Sequence, residues 1–459
     1  MRNVIDFIRL QKRDYVEELK TLLAIPSISG QPEYAPEVKR CADWCAAEMK
    51  RIGLQNVRLI DTPGNPVVYG DWLNAAGAPT ILCYGHYDVQ PVDPVELWTS
   101  PPFEPTIRDG EIYARGAADD KGQVFMHFKA VQAHLAQTGR LPVNIKFILE
   151  GEEEVGSVNL EGFVRSHKGE LAADVVVISD SPMFARGVPS ICYGLRGLAY
   201  LQVDVRGSRT DLHSGLFGGA VANPAAVLAQ LLAQMKDRGG RVKIPGFYDD
   251  VVPLREQERE AWSSLPFNPK QFRKDFGIPK VYGESGYTTL ERTWGRPTFE
   301  VNGLQSGFTG EGAKTVLPAV AMAKISMRLV PDQDPHKIAD LCESYIRKIA
   351  PDTVDVTITR MHSGKPWIAS FDGPFIQAAA RAIEYGFGRK PVFTREGGSI
   401  PVVSMFQEEL GLPSVLFGIG LPDENAHAPN ERLNLENFQN GIVASAHLYD
   451  EIAHVAVAA

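Results

Sequence analysis

Apolar residues in this chain come in two patterns. Short continuous runs, each followed by polar punctuation, appear in TILCYGH, VNIKFILEGEEE and ADVVVISD, and again far downstream in SVLFGIGLPDENAH. Between the first two, GQVFMHFKAVQAHLAQTG has the length and spacing of a helix. The N-terminal segment to about Ile52 also reads as helical, with APEVKRCADWCAAEMKRIG stopped at Gly53. Aliphatic strands separated by helices predict an α/β protein whose mostly parallel sheet is covered on both faces.

The middle of the chain changes pattern. AYLQVDVRG predicts a strand, and NPAAVLAQLLAQMKDRG a helix opened by Asn223 and Pro224. Strands follow at PTFEVNGL and AVAMAKISMRLVP, then a helix at DPHKIADLCESYIRKIA and a strand at TVDVTITRM. The order β-α-β-β-α-β is that of a ferredoxin-like sandwich. Gly- and Pro-containing ARGVPS and HSGKPW flank it. The expected domains are therefore residues 1–186, an insert at 187–366, and a return to the first domain at 367–459. The segment around REQEREAW falls inside the insert as helical decoration, its mixed charges reading as a solvated helix face.

Composition narrows the function. The 459 residues carry a net charge of −9, which argues against a nucleic-acid binder. The first twenty residues mix charge into every turn, unlike a signal peptide. No run is long enough to span a bilayer. Five scattered cysteines without a CxxC pair fit a reducing cytoplasm.

The candidate chemistry sits where the apolar runs end. His86 and Asp88 close the first, Glu153 and Glu154 the second and Asp180 the third, and His427 follows the fourth. In open α/β sheets, ligands bind at the carboxyl ends of strands. FILEGEEEVGS crowds Glu150, Glu152, Glu153 and Glu154 into five positions, and like charges so close repel unless something compensates them. ARGAADDKG adds Asp119 and Asp120 in a glycine-rich turn. Two histidines and three or four carboxylates make a mixed N/O site for divalent first-row metals. Two cations would neutralise the crowd, with one carboxylate bridging them. One glutamate must stay off the metals to move protons. Asp88, two residues after His86, is suited to orient that imidazole. His127 and His134 read as buried helix residues, and Cys83 as core.

GHYDVQP, RGAADDKG, EGEEEVGS, ISDSP and NAHAPNE resemble, in this order, the motifs of the dinuclear metallopeptidase family. That family includes carnosinase, cytosolic non-specific dipeptidase, carboxypeptidase G, aminoacylase and succinyl-diaminopimelate desuccinylase. The resemblance implies a zinc-exopeptidase-like catalytic domain and a ferredoxin-like insert acting as dimerisation and lid domain. It implies two divalent metals per subunit, zinc first, with manganese or cobalt as alternatives. His86, Asp119, Glu154, Asp180 and His427 would be ligands, Asp119 bridging. Glu153 would be the general base and Asp88 the carboxylate supporting His86. TDLHSGLFGG resembles the dipeptidase branch, whose histidine, here His213, reaches across a dimer interface to steady an oxyanion. By the same resemblance Thr315, Arg328, His362, Gly398 and Ser399 contact substrate.

The reading is a cytoplasmic homodimer that hydrolyses dipeptides or similar small peptides through a metal-bridging hydroxide. It binds neither nucleic acid nor membrane. An N-acyl amino-acid deacylase on the same scaffold is the alternative. A non-catalytic dimeric binding protein is more distant, because such a descendant should have lost Glu153 or a ligand.

Overall fold

Four strands of continuous aliphatic character lie side by side and parallel: Asn144–Glu150, Thr80–His86, Val175–Ile178 and Ser414–Leu416. Almost every residue in them is buried, as expected when both faces are covered. Antiparallel strands flank them, Val67–Trp72 and Gln55–Ile60 on one side and Ser190–Leu195 on the other. A computed structural model of the chain describes residues 1–398 and 400–456, so Ser399, expected to touch substrate, lies outside the described residues.

Helix Lys121–Thr138 lies in the chain between strands Thr80–His86 and Asn144–Glu150 and is buried along nearly its whole length. It packs against helices Arg2–Leu10 and Leu435–Ala453, and its buried polar side chains are partnered, Lys129 by Glu48 and Lys121 by the Ile25 carbonyl. Gly139, in the left-handed region with φ 67°, ends it. The N-terminal helices Lys12–Leu23 and Ala35–Arg51 add to the same core, and Gly53 ends the latter region with φ 102°.

The polypeptide divides into two compact units. Met1–Tyr193, Ala369–Thr394 and Met405–Ala459 form the first. Gly194–Ile368 and Arg395–Ser404 form the second. The second is built on a four-stranded antiparallel sheet. In spatial order its strands are Thr298–Ser306, Val320–Leu329, Gly197–Arg206 and Asp355–Gly364. Helices Pro224–Ala233 and Pro335–Ile349 cover one face, and Asn223 and Asp334 cap them through backbone N–H groups. The chain order of these elements is β-α-β-β-α-β.

The decoration differs from expectation at one helix. REQEREAW forms helix Glu256–Ser263, but Glu258 and Trp262 are buried rather than solvated. Glu258 pairs with Arg395, and Trp262 packs edge-on to Trp294 at 5.3 Å. A charge can leave water here because an opposite charge meets it. Among the described residues no helix is long and apolar enough to cross a membrane, and all five cysteines are buried.

His127 lies inside the first unit's core, between Tyr449 Oη at 3.1 Å and Ser179 Oγ at 2.7 Å. Burial pushes its pKa down to about 3. The unfolded chain takes up this proton near pH 6.5, while the folded chain resists it, so acid favours unfolding. In urea melts of metal-stripped protein, the stability difference between wild type and His127→Gln should shift against wild type by about 2 kcal/mol from pH 6.5 to pH 4.5. A pH-independent difference would show that His127 is not held neutral.

Candidate metal centre

The parallel strands deliver the first groups. His86 is the last residue of Thr80–His86 and is fully buried. Its Nδ1 lies 3.1 Å from the Asp88 carbonyl and 3.4 Å from Asp88 Oδ1. Asp88 is itself fixed, with Oδ2 accepting from Ser29 Oγ at 2.6 Å and from the Glu154 N–H at 3.2 Å. The imidazole therefore turns Nε2 outward, 3.0 Å from Asp119 Oδ1 and 4.0 Å from Asp180 Oδ2. Asp180 comes two residues after strand Val175–Ile178.

Asp119 stands just before helix Lys121–Thr138, which starts close to the sheet because residue 85 is glycine. A Cβ there would come within 2.2 Å of Val124 Cγ2. The other Asp119 oxygen, Oδ2, lies 2.9 Å from His427 Nε2, and that nitrogen is 3.2 Å from Glu154 Oε2. Two triads result, His86–Asp119–Asp180 and Asp119–Glu154–His427, each compact enough to hold an ion. They share Asp119, which offers one oxygen to each histidine.

The glutamate crowd of FILEGEEEVGS is dispersed by the backbone. The strand stops at Glu150, so Glu153 and Glu154 lie not on the strand end but on a 3₁₀ turn, Glu153–Val155. At about 120° per residue, such a turn aims neighbours apart. Glu154 joins the second triad, its Oε2 also accepting from Gln90 Nε2 at 2.8 Å. Glu153 belongs to neither triad. Glu150 turns away to Tyr84 Oη at 2.5 Å and Ser157 Oγ at 2.8 Å. Glu152 accepts from the Asn65 N–H and Asn159 Nδ2 and braces the loop.

Glu431 is the main residue that sequence reasoning passed over, although it closes the NAHAPNE motif. It is fully buried, and its carboxylate accepts from Arg115 Nη1 at 2.8 Å. It also accepts from the backbone N–H groups of Gly116, Ala118 and Asp119. The whole turn that presents Asp119 is thus hung on one side chain more than 300 positions away. Asp120 heads the helix but makes no side-chain cap. One of its oxygens accepts from the His86 N–H at 3.3 Å, and Oδ1 is buried without a hydrogen-bond partner.

Burial works against the Asp119 charge, but the His427 and His86 imidazoles hold its pKa below the usual carboxylate range. Asp180 is pushed well up by burial and by the Asp119 charge, and Asp120 by burial and Asp180. Glu153 is pushed up to about 7, chiefly by burial. The cluster therefore gathers more negative charge than its two imidazoles balance. Imidazole and carboxylate donors in this proportion, with excess anionic charge and the orphaned Asp120 oxygen, fit divalent cations. A cleft of about 310 Å³ opens alongside, lined by Asp119, Gln123, Asp180, Ser181 and Glu424 among others.

The remaining expected residues belong to the second unit. His213 is exposed, and its Nδ1 accepts from the Gly215 N–H at 3.0 Å. In the neutral ring this leaves the proton on Nε2. Thr315 is beside it, with its carbonyl accepting from the Ser214 N–H at 3.1 Å. His362 stacks on Tyr200, ring centroids 5.0 Å apart. Arg328 lines a cavity of about 380 Å³ with Arg196, Arg292 and Arg296. Gly398 is exposed, and a Cβ added to it would meet nothing within 4 Å.

A mostly parallel α/β sheet with a His/Asp/Glu cluster at its strand ends defines a metal-dependent α/β enzyme. The chain belongs to peptidase family M20/M25/M40, whose model matches residues 82–451. It is 34% identical to the Cys-Gly metallodipeptidase DUG1 of Candida albicans, over 96% of this chain and 95% of that protein. It is also 34% identical to the human Beta-Ala-His dipeptidase, over 99% and 93%. The crystal structure of human carnosine dipeptidase 1 superposes with a TM-score of 0.83 at 34% identity, covering 99% of both chains. The metallo-carboxypeptidase Sso-CP2 of Sulfolobus solfataricus gives 0.85 at 33% identity, covering 96% and 99%.

Glu431→Gln should loosen the Asp119 turn and lower the affinity of the cluster for a divalent cation by about 10–100-fold, the usual cost of losing an outer hydrogen-bond partner. Competition with a chromophoric chelator measures this. Unchanged affinity would show that Asp119 is held by other contacts.

Proposed function

We propose that the chain is a metal-dependent dipeptidase, a hydrolase that cleaves the peptide bond of dipeptides and similarly small peptides. The observation that carries this is the sharing of Asp119 between two triads, each completed by its own histidine and carboxylate. Two divalent ions would be held there, one by His86, Asp119 and Asp180, the other by Asp119, Glu154 and His427. Zinc is the first choice for such donors, and manganese or cobalt also suit them. Once bound, the pair supplies Lewis acidity that polarises the scissile carbonyl and acidifies a water.

The rest of the chemistry belongs to the chain. Glu153, beside the cluster and outside both triads, takes the proton from the attacking water and returns it to the leaving amine. Asp88 keeps His86 Nε2 turned toward the cluster. His213, with its proton on Nε2, can donate to a developing oxyanion. In the proposed homodimer it serves the partner subunit's active site. Arg328 is suited to a substrate carboxylate, and Thr315, His362, Gly398 and Ser399 complete the binding groups. The first unit is thus the catalytic domain and the second the dimerisation and lid domain, working in the cytoplasm. The relatives named for Cys-Gly and Beta-Ala-His dipeptides support the choice of substrate class.

Glu153→Ala should lower kcat by about a thousandfold, the scale of general acid–base catalysis, while metal content stays at the wild-type level. Near-normal turnover in the metal-loaded variant would remove Glu153 as the base. A substrate panel tests the class: release of free amino acid from dipeptides should exceed release from N-acetyl amino acids. The reverse preference would make the protein a deacylase.

A further inference from the structure

The segment Arg395–Ser404 follows strand residues of the first unit, yet it packs with the second. Its attachment is specific. Arg395 and Glu258 form an ion pair in which the side chains are 8% and 2% exposed. The Arg395 guanidinium lies 5.5 Å from the centre of the Trp262 ring, and its stem crosses Gly194, where a Cβ would come within 3.0 Å of Cδ. Glu258 is itself locked, because Oε2 also accepts from the Arg255 N–H at 3.0 Å in a capping box. Two residues further on, the Gly397 carbonyl accepts from Arg196 Nε at 3.1 Å, and the Glu396 carbonyl from the Arg196 N–H at 3.3 Å. Arg196 Nη1 in turn reaches the Arg296 carbonyl at 3.4 Å. Gly397 has no room for a side chain: a Cβ would lie 2.6 Å from Arg196 Nη2 and 2.9 Å from the Thr293 carbonyl.

Three of these holding groups, Glu258, Trp262 and the Arg296 carbonyl, come from the segment between residues 255 and 296. That segment supplies none of the expected catalytic or substrate-binding residues. Its anchoring of Arg395 and Gly397 ends at Gly398, which is exposed and open.

We infer that Glu258 and Arg196 are positioning residues: they clamp the Arg395–Gly397 backbone so that the loop at Gly398 is presented to substrate in one conformation. This rests on the proposed role of Gly398 in substrate binding. A buried charge pair that grips one loop pre-organises it, so that binding does not have to order it. Glu258→Gln keeps the shape and one hydrogen bond but removes the charge. Arg196→Lys keeps the charge but loses the forked donors that reach two carbonyls.

The test measures kcat and KM on a dipeptide, together with metal content and melting temperature, for Glu258→Gln, Arg196→Lys and Gly398→Val. The Gly398 variant adds bulk at a position where an added Cβ meets nothing within 4 Å among the described residues. The expected result is that all three raise KM, the two clamp variants by about tenfold, with kcat within about threefold and metal content unchanged. A merely structural role would lower melting temperature and active fraction without moving KM. If Gly398→Val impairs catalysis but both clamp variants keep the wild-type KM, the clamp is refuted and the loop's role stands. If Gly398→Val has no effect, the loop is not in the site and the inference falls with it. Should Glu258→Gln fail to fold, Arg196→Lys decides alone.

Discussion

Anionic groups held close together and out of water govern this molecule. Asp119, Asp180 and Glu154 meet two histidines at the rim of a parallel sheet, with Asp88, Asp120 and Glu153 immediately behind or beside them. Burial and mutual repulsion push Asp180, Asp120 and Glu153 toward protonation, while the two imidazoles hold Asp119 ionised. Divalent cations would relieve such an arrangement with the carboxylates ionised and in place. The surrounding structure keeps the anions together. Glu431 suspends the Asp119 turn, Ser29 and the Glu154 N–H fix Asp88, and Gln90 holds Glu154.

The same need explains why the centre is divided among backbone types. His86 stands on a strand end, where the sheet sets its position rigidly. Asp119 precedes a buried helix, Glu154 rides on a 3₁₀ turn, and His427 sits in a loop with φ 62°. His427 is the most exposed member, its side chain 56% accessible, and burial therefore opposes its charge least. Its hydrogen bonds to Asp119 and Glu154 push its pKa up to about 10. A rigid wall and one accessible histidine suit a centre that must exclude bulk water yet admit a substrate.

Much of this was legible in the residues. Aliphatic runs bounded by His, Asp and Glu mark parallel strands whose carboxyl ends form a site, because a crossover connection returns every such end to the same edge. The linked motifs GHYD, ADDKG, EEEVGS, ISDSP and NAHAPNE together contain the residues of both triads. Less legible was the division of labour within FILEGEEEVGS. All four glutamates look alike in sequence, but Tyr84, Ser157, Asn65 and Asn159 claim two of them, and three of those four partners lie outside the stretch. Periodicity also misjudged REQEREAW, because a mixed-charge helix looks solvated until its partner is known. That partner, Arg395, is 137 positions away.

What the sequence determined alone was the order of strands and helices, the residue types at their ends, and hence the chemistry the chain can support. Those follow from local rules of period, turn and burial. The tertiary structure alone decided which atoms meet: Asp119 with His427 across 308 positions, Glu431 with Arg115 across 316, Arg395 with Glu258. Side-chain electrostatics depends on distances of a few ångströms and on the removal of water. Neither is written into a linear spacing, and only the folded chain supplies both.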